Sequence, residues 1–176
     1  MITRIRITLC LFLFLVAGSR AFAPTIPGRA ASVKLGAATS SDPILTSPEE
    51  KVYGMLKEIH QSGLQFRVVV VGNGAILEST NLLGPTMKLS QSPTTGANLV
   101  TFASEDQSFE FHLMTAQVSK VVLAEKERPT GGMMRILRLL NDVGKPICSL
   151  IVADNSPKAA EWYLDMTAKY GQELQL

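Results

Sequence analysis

The sequence predicts an α+β domain: an antiparallel sheet of about seven or eight strands, curved or split-barrel-like, flanked by an N-terminal and a C-terminal helix. Two observations carry this. Capped runs with apolar residues at helical spacing stand at the two ends of the domain, over 48–62 and 157–170. Between them, short β-branched and apolar runs alternate with hairpin-sized breaks rich in Gly, Asn, Asp and Pro.

The chain has 176 residues and a net charge of +2, enough for one ordinary domain. All 15 acidic residues lie at or after Asp42, whereas five of the 17 basic ones precede it. The body after residue 41 is therefore acidic on balance, which disfavours a domain built to grip nucleic-acid phosphates. Only Cys10 and Cys148 exist, so a disulfide scaffold, a zinc cluster and a Cys-x-x-Cys redox centre are excluded for the mature domain.

Residues 1–21 have the layout of a signal peptide. Arg4 and Arg6 precede an apolar run from Ile7 to Ala17, and small residues follow. The run is too short to span roughly 30 Å of hydrocarbon. Residues 22–42 are rich in Ala and Ser and basic, with no acid before Asp42, which is transit-peptide composition. The junction Ser-Arg-Ala-Phe22-Ala-Pro resembles the ASAFAP-type motif of bipartite presequences in algae with secondary red-derived plastids. That resemblance implies import through the ER into a plastid, with a single mature domain over 43–176 and no transmembrane segment in it.

Ser47-Pro48-Glu49-Glu50 reads as a helix start, with Ser47 as N-cap, Pro48 at the first helical position and Glu50 closing a capping box. Val52, Leu56 and Ile59 make the apolar face, and Gly63 ends the helix. Phe66–Val71 is a strand that turns at Gly72-Asn73-Gly74 into Ala75–Ser79. Residues 80–97 read as a loop interrupted by one strand near Thr86–Leu89. Asn98–Ala103 and Ser108–Met114 form a second hairpin, and Val118–Glu125 follows. Met133–Leu140 and Pro146–Ala153 form a third hairpin, with Pro146 at a strand start where a missing N–H is tolerated. Asn155-Ser156-Pro157 opens the last helix, whose face is Ala159, Trp162, Tyr163, Met166 and Tyr170, and Gly171 closes it.

Most chemistry is absent. No Gly-x-Ser-x-Gly elbow exists, and two histidines must serve any general-base role. Cys148 lies in an apolar strand and reads as a small buried hydrophobe. Neither Gly72-Asn73-Gly74 nor Gly131-Gly132 matches a phosphate-binding loop, and no basic cluster suits a flavin phosphate. His60, near a helix C-terminus, reads as a surface residue favoured by the helix dipole. His112 is more informative. Strand period puts Phe109, Phe111 and Leu113 on a core face and Glu110, His112 and Met114 on the other. An imidazole on such a face can ligate iron.

The order of segments from Phe109 to Tyr170 carries a resemblance. Phe109-Glu110-Phe111-His112-Leu113 is followed by Val118–Leu123, by Arg135–Val152 with its Leu-x-x-x-Asp-x-x-Gly-like turn, and by Ala160-Glu161-Trp162. With Val68–Glu78 upstream, this resembles the haem-utilisation superfamily of bacterial haem-handling proteins, of ChuX and HemS type. The resemblance implies a split-barrel-like sheet with a haem or tetrapyrrole site on one face. His112 is then the candidate axial ligand to iron, and Lys88, Lys120, Arg135 and Arg138 are candidate propionate contacts. The chain departs from the pattern where HemS-type proteins carry a second histidine: Leu77 stands there, and leucine cannot bind iron. Two readings follow, a plastid haem or tetrapyrrole carrier or buffer, or a non-enzymatic interaction protein of a plastid assembly. Met87, Met114, Met133, Met134 and Leu77 would be the adaptable contacts of the second.

Overall fold

The structure is a computed structural model that describes residues 45–176; the two expected presequence segments, and Cys10, lie outside the described residues. Helix α1 (Ser47–Gln61) starts one residue earlier than the motif predicts. Thr46, not Ser47, is the N-cap, and Glu49 closes the capping box with it. Burial decides between the two frames: Glu49 is 5% exposed and reaches Asn98 and Thr115, distant in the chain, while Glu50 is exposed. Val52, Met55, Leu56 and Ile59 are the buried face of α1.

Among the described residues nine strands follow: β1 (Gln65–Val71), β2 (Ile76–Leu82), β3 (Thr86–Gln91), β4 (Asn98–Ala103), β5 (Glu110–Met114), β6 (Lys120–Glu127), β7 (Met133–Leu140), β8 (Pro146–Val152) and, after helix α2 (Pro157–Tyr170), β9 (Glu173–Gln175). All pair antiparallel, as expected. They form two sheets rather than one: a six-stranded sheet in the order β2-β1-β8-β7-β6-β9, and a three-stranded sheet β3-β4-β5. Neither closes into a barrel.

The division falls at Gly84-Pro85. Strand β2 runs on to Leu82, three residues past the expected end, and then Gly84 adopts φ +75°. Pro85 has no N–H to continue a ladder, so β3 leaves the first sheet and pairs with β4 instead. The C-terminal helix does not end the domain. Strand β9 adds to the edge of β6 with Glu173 opposite Val122 and Gln175 opposite Lys120. One apolar core unites the elements. Trp162 of α2 meets Phe66 of β1 edge to face at 5.6 Å, and the Phe102 and Phe111 rings of β4 and β5 stack at 6.2 Å. Cys148 is 1% exposed in β8, and burial pushes its thiol up to about 12. No helix among the described residues is long and apolar enough to cross a membrane.

Candidate functional site

The alternation read from Phe109–Met114 holds. Phe109 and Leu113 are buried and Phe111 is half-buried, whereas Glu110, His112 and Met114 are exposed. The outer face of the three-stranded sheet is thus built by register. Lys88 stands opposite Thr101, and Thr101 opposite His112, so the three occupy one cross-strand row. Thr86, Ala103 and Glu110 form the row on one side; Ser90, Leu99 and Met114 form the row on the other. The reverse face carries Met87, Phe102, Phe111, Leu89, Val100 and Leu113 into the core.

Within this face the His112 side chain is 50% exposed, yet its ring is held. Its Nδ1 lies 2.7 Å from the Thr101 hydroxyl, and its Nε2 lies 3.4 Å from Glu110 Oε1. When Nδ1 carries the proton it donates to Thr101 Oγ1, and Nε2 keeps the lone pair that ligates iron, with the Glu110 carboxylate beside it having to turn aside for a metal to enter. The chemistry of the donor set therefore fits a haem iron. Lys88 is exposed in the same row.

The other candidate cations belong to the six-stranded sheet. Lys120 Nζ lies 2.6 Å from Glu173 Oε2, and Arg135 Nε lies 3.0 Å from Glu125 Oε1 with its side chain 15% exposed. Arg138 is exposed and donates to the Ser149 hydroxyl at 3.4 Å. The fold thus brings His112 and Lys88 together on one sheet and sets Lys120, Arg135 and Arg138 on the other. Leu77 is 66% exposed in β2.

His60 is not a plain surface residue. It is half-buried, its Nε2 lies 2.9 Å from the Gly84 carbonyl, and its ring centroid is 5.9 Å from that of Phe102. It lines a cleft of about 770 Å³ with Leu82, Pro85 and the β4–β5 turn. In that turn the hydroxyls of Ser104 and Ser108 hold the Asp106 carboxyl down at about 2. No local motif announces this cleft, because its walls come from turns distant in the chain. Among the described residues no group of three His, Cys, Asp or Glu side chains could hold a metal ion.

The sequence matches no protein-family model and no curated protein. Solved structures do resemble it. A protein from Erwinia carotovora superposes with a TM-score of 0.56 at 9% identity, over 69% of this chain and 73% of that one. The heme-binding protein ChuX superposes at 0.55 with 11% identity, over 69% and 74%. The heme-degrading enzyme ChuS of Escherichia coli O157:H7 superposes at 0.51 with 15% identity, over 66% of this chain and 34% of that one. At such identities the likeness concerns the fold, and the domain shares the fold of these proteins.

Proposed function

We propose that the domain binds haem or a related tetrapyrrole on the outer face of its three-stranded sheet and serves as a carrier or buffer in a plastid. The observation that carries the reading is His112, a half-exposed imidazole held at Nδ1 by Thr101 with Lys88 in the same row. Likeness in fold to ChuX supports it, and the layout of residues 1–42 supports the destination. His112 would hold the iron, since leucine at 77 supplies no ligand, and Lys88 would meet a propionate. Lys120, Arg135 and Arg138 stand on the six-stranded sheet and take no part on this face. Bound haem would supply iron chemistry; the protein's part is to present Nε2, hold the ring and offer a cation.

Titrating the full chain with hemin tests this. A saturable Soret shift that His112→Ala abolishes is expected; no shift, or a shift that survives the substitution, overturns it. A second reading, docking to a plastid protein assembly, is favoured by the apolar side chains left open on β2, β5 and β7: Leu77 is 66% exposed, Met114 46% and Met133 39%. A protein that co-purifies with a stoichiometric partner and without pigment would support it over the first.

A further inference from the structure

The outer face of the six-stranded sheet carries a cationic cleft that the haem reading does not use. Cross-strand register sets Thr80, Arg67, Ile151 and Ile136 in one row of that face, with Lys126 and Met134 opposite one another in the next. Ile136 and Ile151 are only 6% and 8% exposed although they point away from the main core, so this patch of the outer face is already walled from water. Part of the wall is the β6–β7 turn. Gly131 and Gly132 take φ +86° and +87°, Gly131 N–H donates to the Arg128 carbonyl, and Arg128 N–H donates to the Gly132 carbonyl, both at 2.9 Å. The result is a cleft of about 510 Å³ lined by Arg67, Lys126 and Arg128 over a floor that includes Met134, Ile151 and Val152.

Its charge is unbalanced. Among the described residues of the lining, Glu127 is the one carboxylate, against three cations. Arg67 is poorly matched by its neighbours: one guanidinium nitrogen points at the Met134 sulfur at 3.9 Å, a weak acceptor, and another lies 3.9 Å from Glu78. A planar fork with donors left over, above an apolar floor, is suited to an oxyanion presented by an apolar body. The Thr80 and Thr130 hydroxyls in the lining add donors for the same group.

We infer that this cleft binds a small organic anion, a carboxylate or phosphate carried on an apolar group, with Arg67 and Arg128 receiving the oxyanion and Met134 and Ile151 the apolar part. The site stands on the sheet that does not carry His112, and it goes beyond the tetrapyrrole reading.

Isothermal titration of the full chain with decanoate and with phenyl phosphate tests it, with inorganic phosphate as the control for the apolar body. The expected result is saturable one-to-one binding of at least one organic probe, with inorganic phosphate at least tenfold weaker. Decanoate alone would identify a carboxylate ligand and phenyl phosphate alone a phosphate ligand. Arg67→Gln and Arg128→Gln should each weaken the binding at least tenfold, while Lys169→Gln, in the exposed last turn of α2, leaves it unchanged; circular dichroism checks that each variant folds. Arg128 stands in an exposed turn, so its variant carries the test should Arg67→Gln fail to fold. Absence of saturable binding by both organic probes, inorganic phosphate binding as tightly as they do, or full affinity in a folded arginine variant overturns the inference. The hemin titration is read separately, so either proposal can fail alone.

Discussion

Thr115 Oγ1 donates a 2.8 Å hydrogen bond to Glu49 Oε1, joining the first turn of α1 to a residue 66 positions away. The same oxygen accepts from Asn98 Nδ2 at 3.1 Å, while Oε2 accepts from the Thr46 N–H and hydroxyl, each at 3.0 Å. One carboxylate thus caps its own helix and ties it to the start of β4 and to the short 3-10 turn that follows β5. Burial pushes its pKa up, but the Thr46 N–H and then the Thr115, Asn98 and Thr46 side chains outweigh that and hold it below the ordinary 4.5.

Glu49→Ala should therefore cost about 2–4 kcal/mol in urea denaturation at neutral pH, because it strands buried donors as well as removing a cap. Glu58, which meets Lys169 and Tyr170 nearer the surface, is the contrast: Glu58→Gln should cost less than about 1 kcal/mol. The sign of the pH effect follows from the lowered pKa of Glu49. Its ionised form contributes fully above the ordinary value of 4.5, and the contribution is lost as pH falls below that through the folded value. The gap between wild type and Glu49→Ala should narrow on acidification. A gap that stays constant down to about pH 3 would contradict this account.

Two glycines with nearly the same backbone angle should respond differently to alanine. Gly144 has φ +74° and open space around it, so Gly144→Ala should cost only about 1–2 kcal/mol of left-handed strain. Gly84 has φ +75°, but a Cβ there would lie 1.9 Å from the Ala103 carbonyl oxygen and 2.4 Å from its carbon. Backbone cannot step aside cheaply, so Gly84→Ala should lose at least ~2 kcal/mol more than Gly144→Ala. It should also disturb His60, whose Nε2 bonds the Gly84 carbonyl. Equal losses in thermal denaturation would show that the close approach of β2–β3 to β4 is not tight.

What the sequence made legible was local. Strands β4 and β7 and helix α2 have the expected limits, because Asn98–Ala103 and Met133–Leu140 sit between unambiguous turns and Ser156-Pro157 fixes a helix start. The split of the faces at Glu110–Met114 was legible for the same reason, since period-2 alternation is a property of one strand. Pairing was not. Nothing near β3 says that it joins β4 and abandons β2; that follows from how closely Gly84 approaches Ala103. Strand β9 is three residues without periodicity, held by its edge position beside β6 and by the Lys120–Glu173 pair. The helix frame was ambiguous because Thr46 and Ser47 are each followed by a glutamate three residues on, and only Asn98 and Thr115 select the first. At the candidate site His112 was visible, but Thr101 was not, since its place beside the imidazole depends on the β4–β5 register.

Cys148 gives a test of the core itself. It is 1% exposed and its thiol is held up at about 12, so almost none is thiolate at neutral pH. A disulfide reagent should leave Cys148 unmodified in the native protein and modify it on unfolding, with a rate that follows global opening. Rapid reaction in native buffer would mean that β8 is not sealed between β1 and β7.

The last prediction separates a positioned imidazole from an incidental one. If His112 ligates iron through Nε2, its Nδ1–H must have an acceptor, and the Thr101 hydroxyl at 2.7 Å is that acceptor. Thr101→Val keeps the shape and β-propensity of the residue while removing the oxygen. Hemin should still bind with a Soret band in the wild-type position, because the ligand is unchanged, but roughly tenfold to a hundredfold more weakly, because the ring is no longer oriented and its proton no longer held. Thermal stability should barely move, since the hydrogen bond lies on the open face of the sheet. Serine at the same position restores the acceptor, so Thr101→Ser should recover most of the affinity. Should Thr101→Val bind hemin as tightly as wild type, the hydroxyl plays no part in presenting the ligand, and the row Lys88–Thr101–His112 loses its functional meaning.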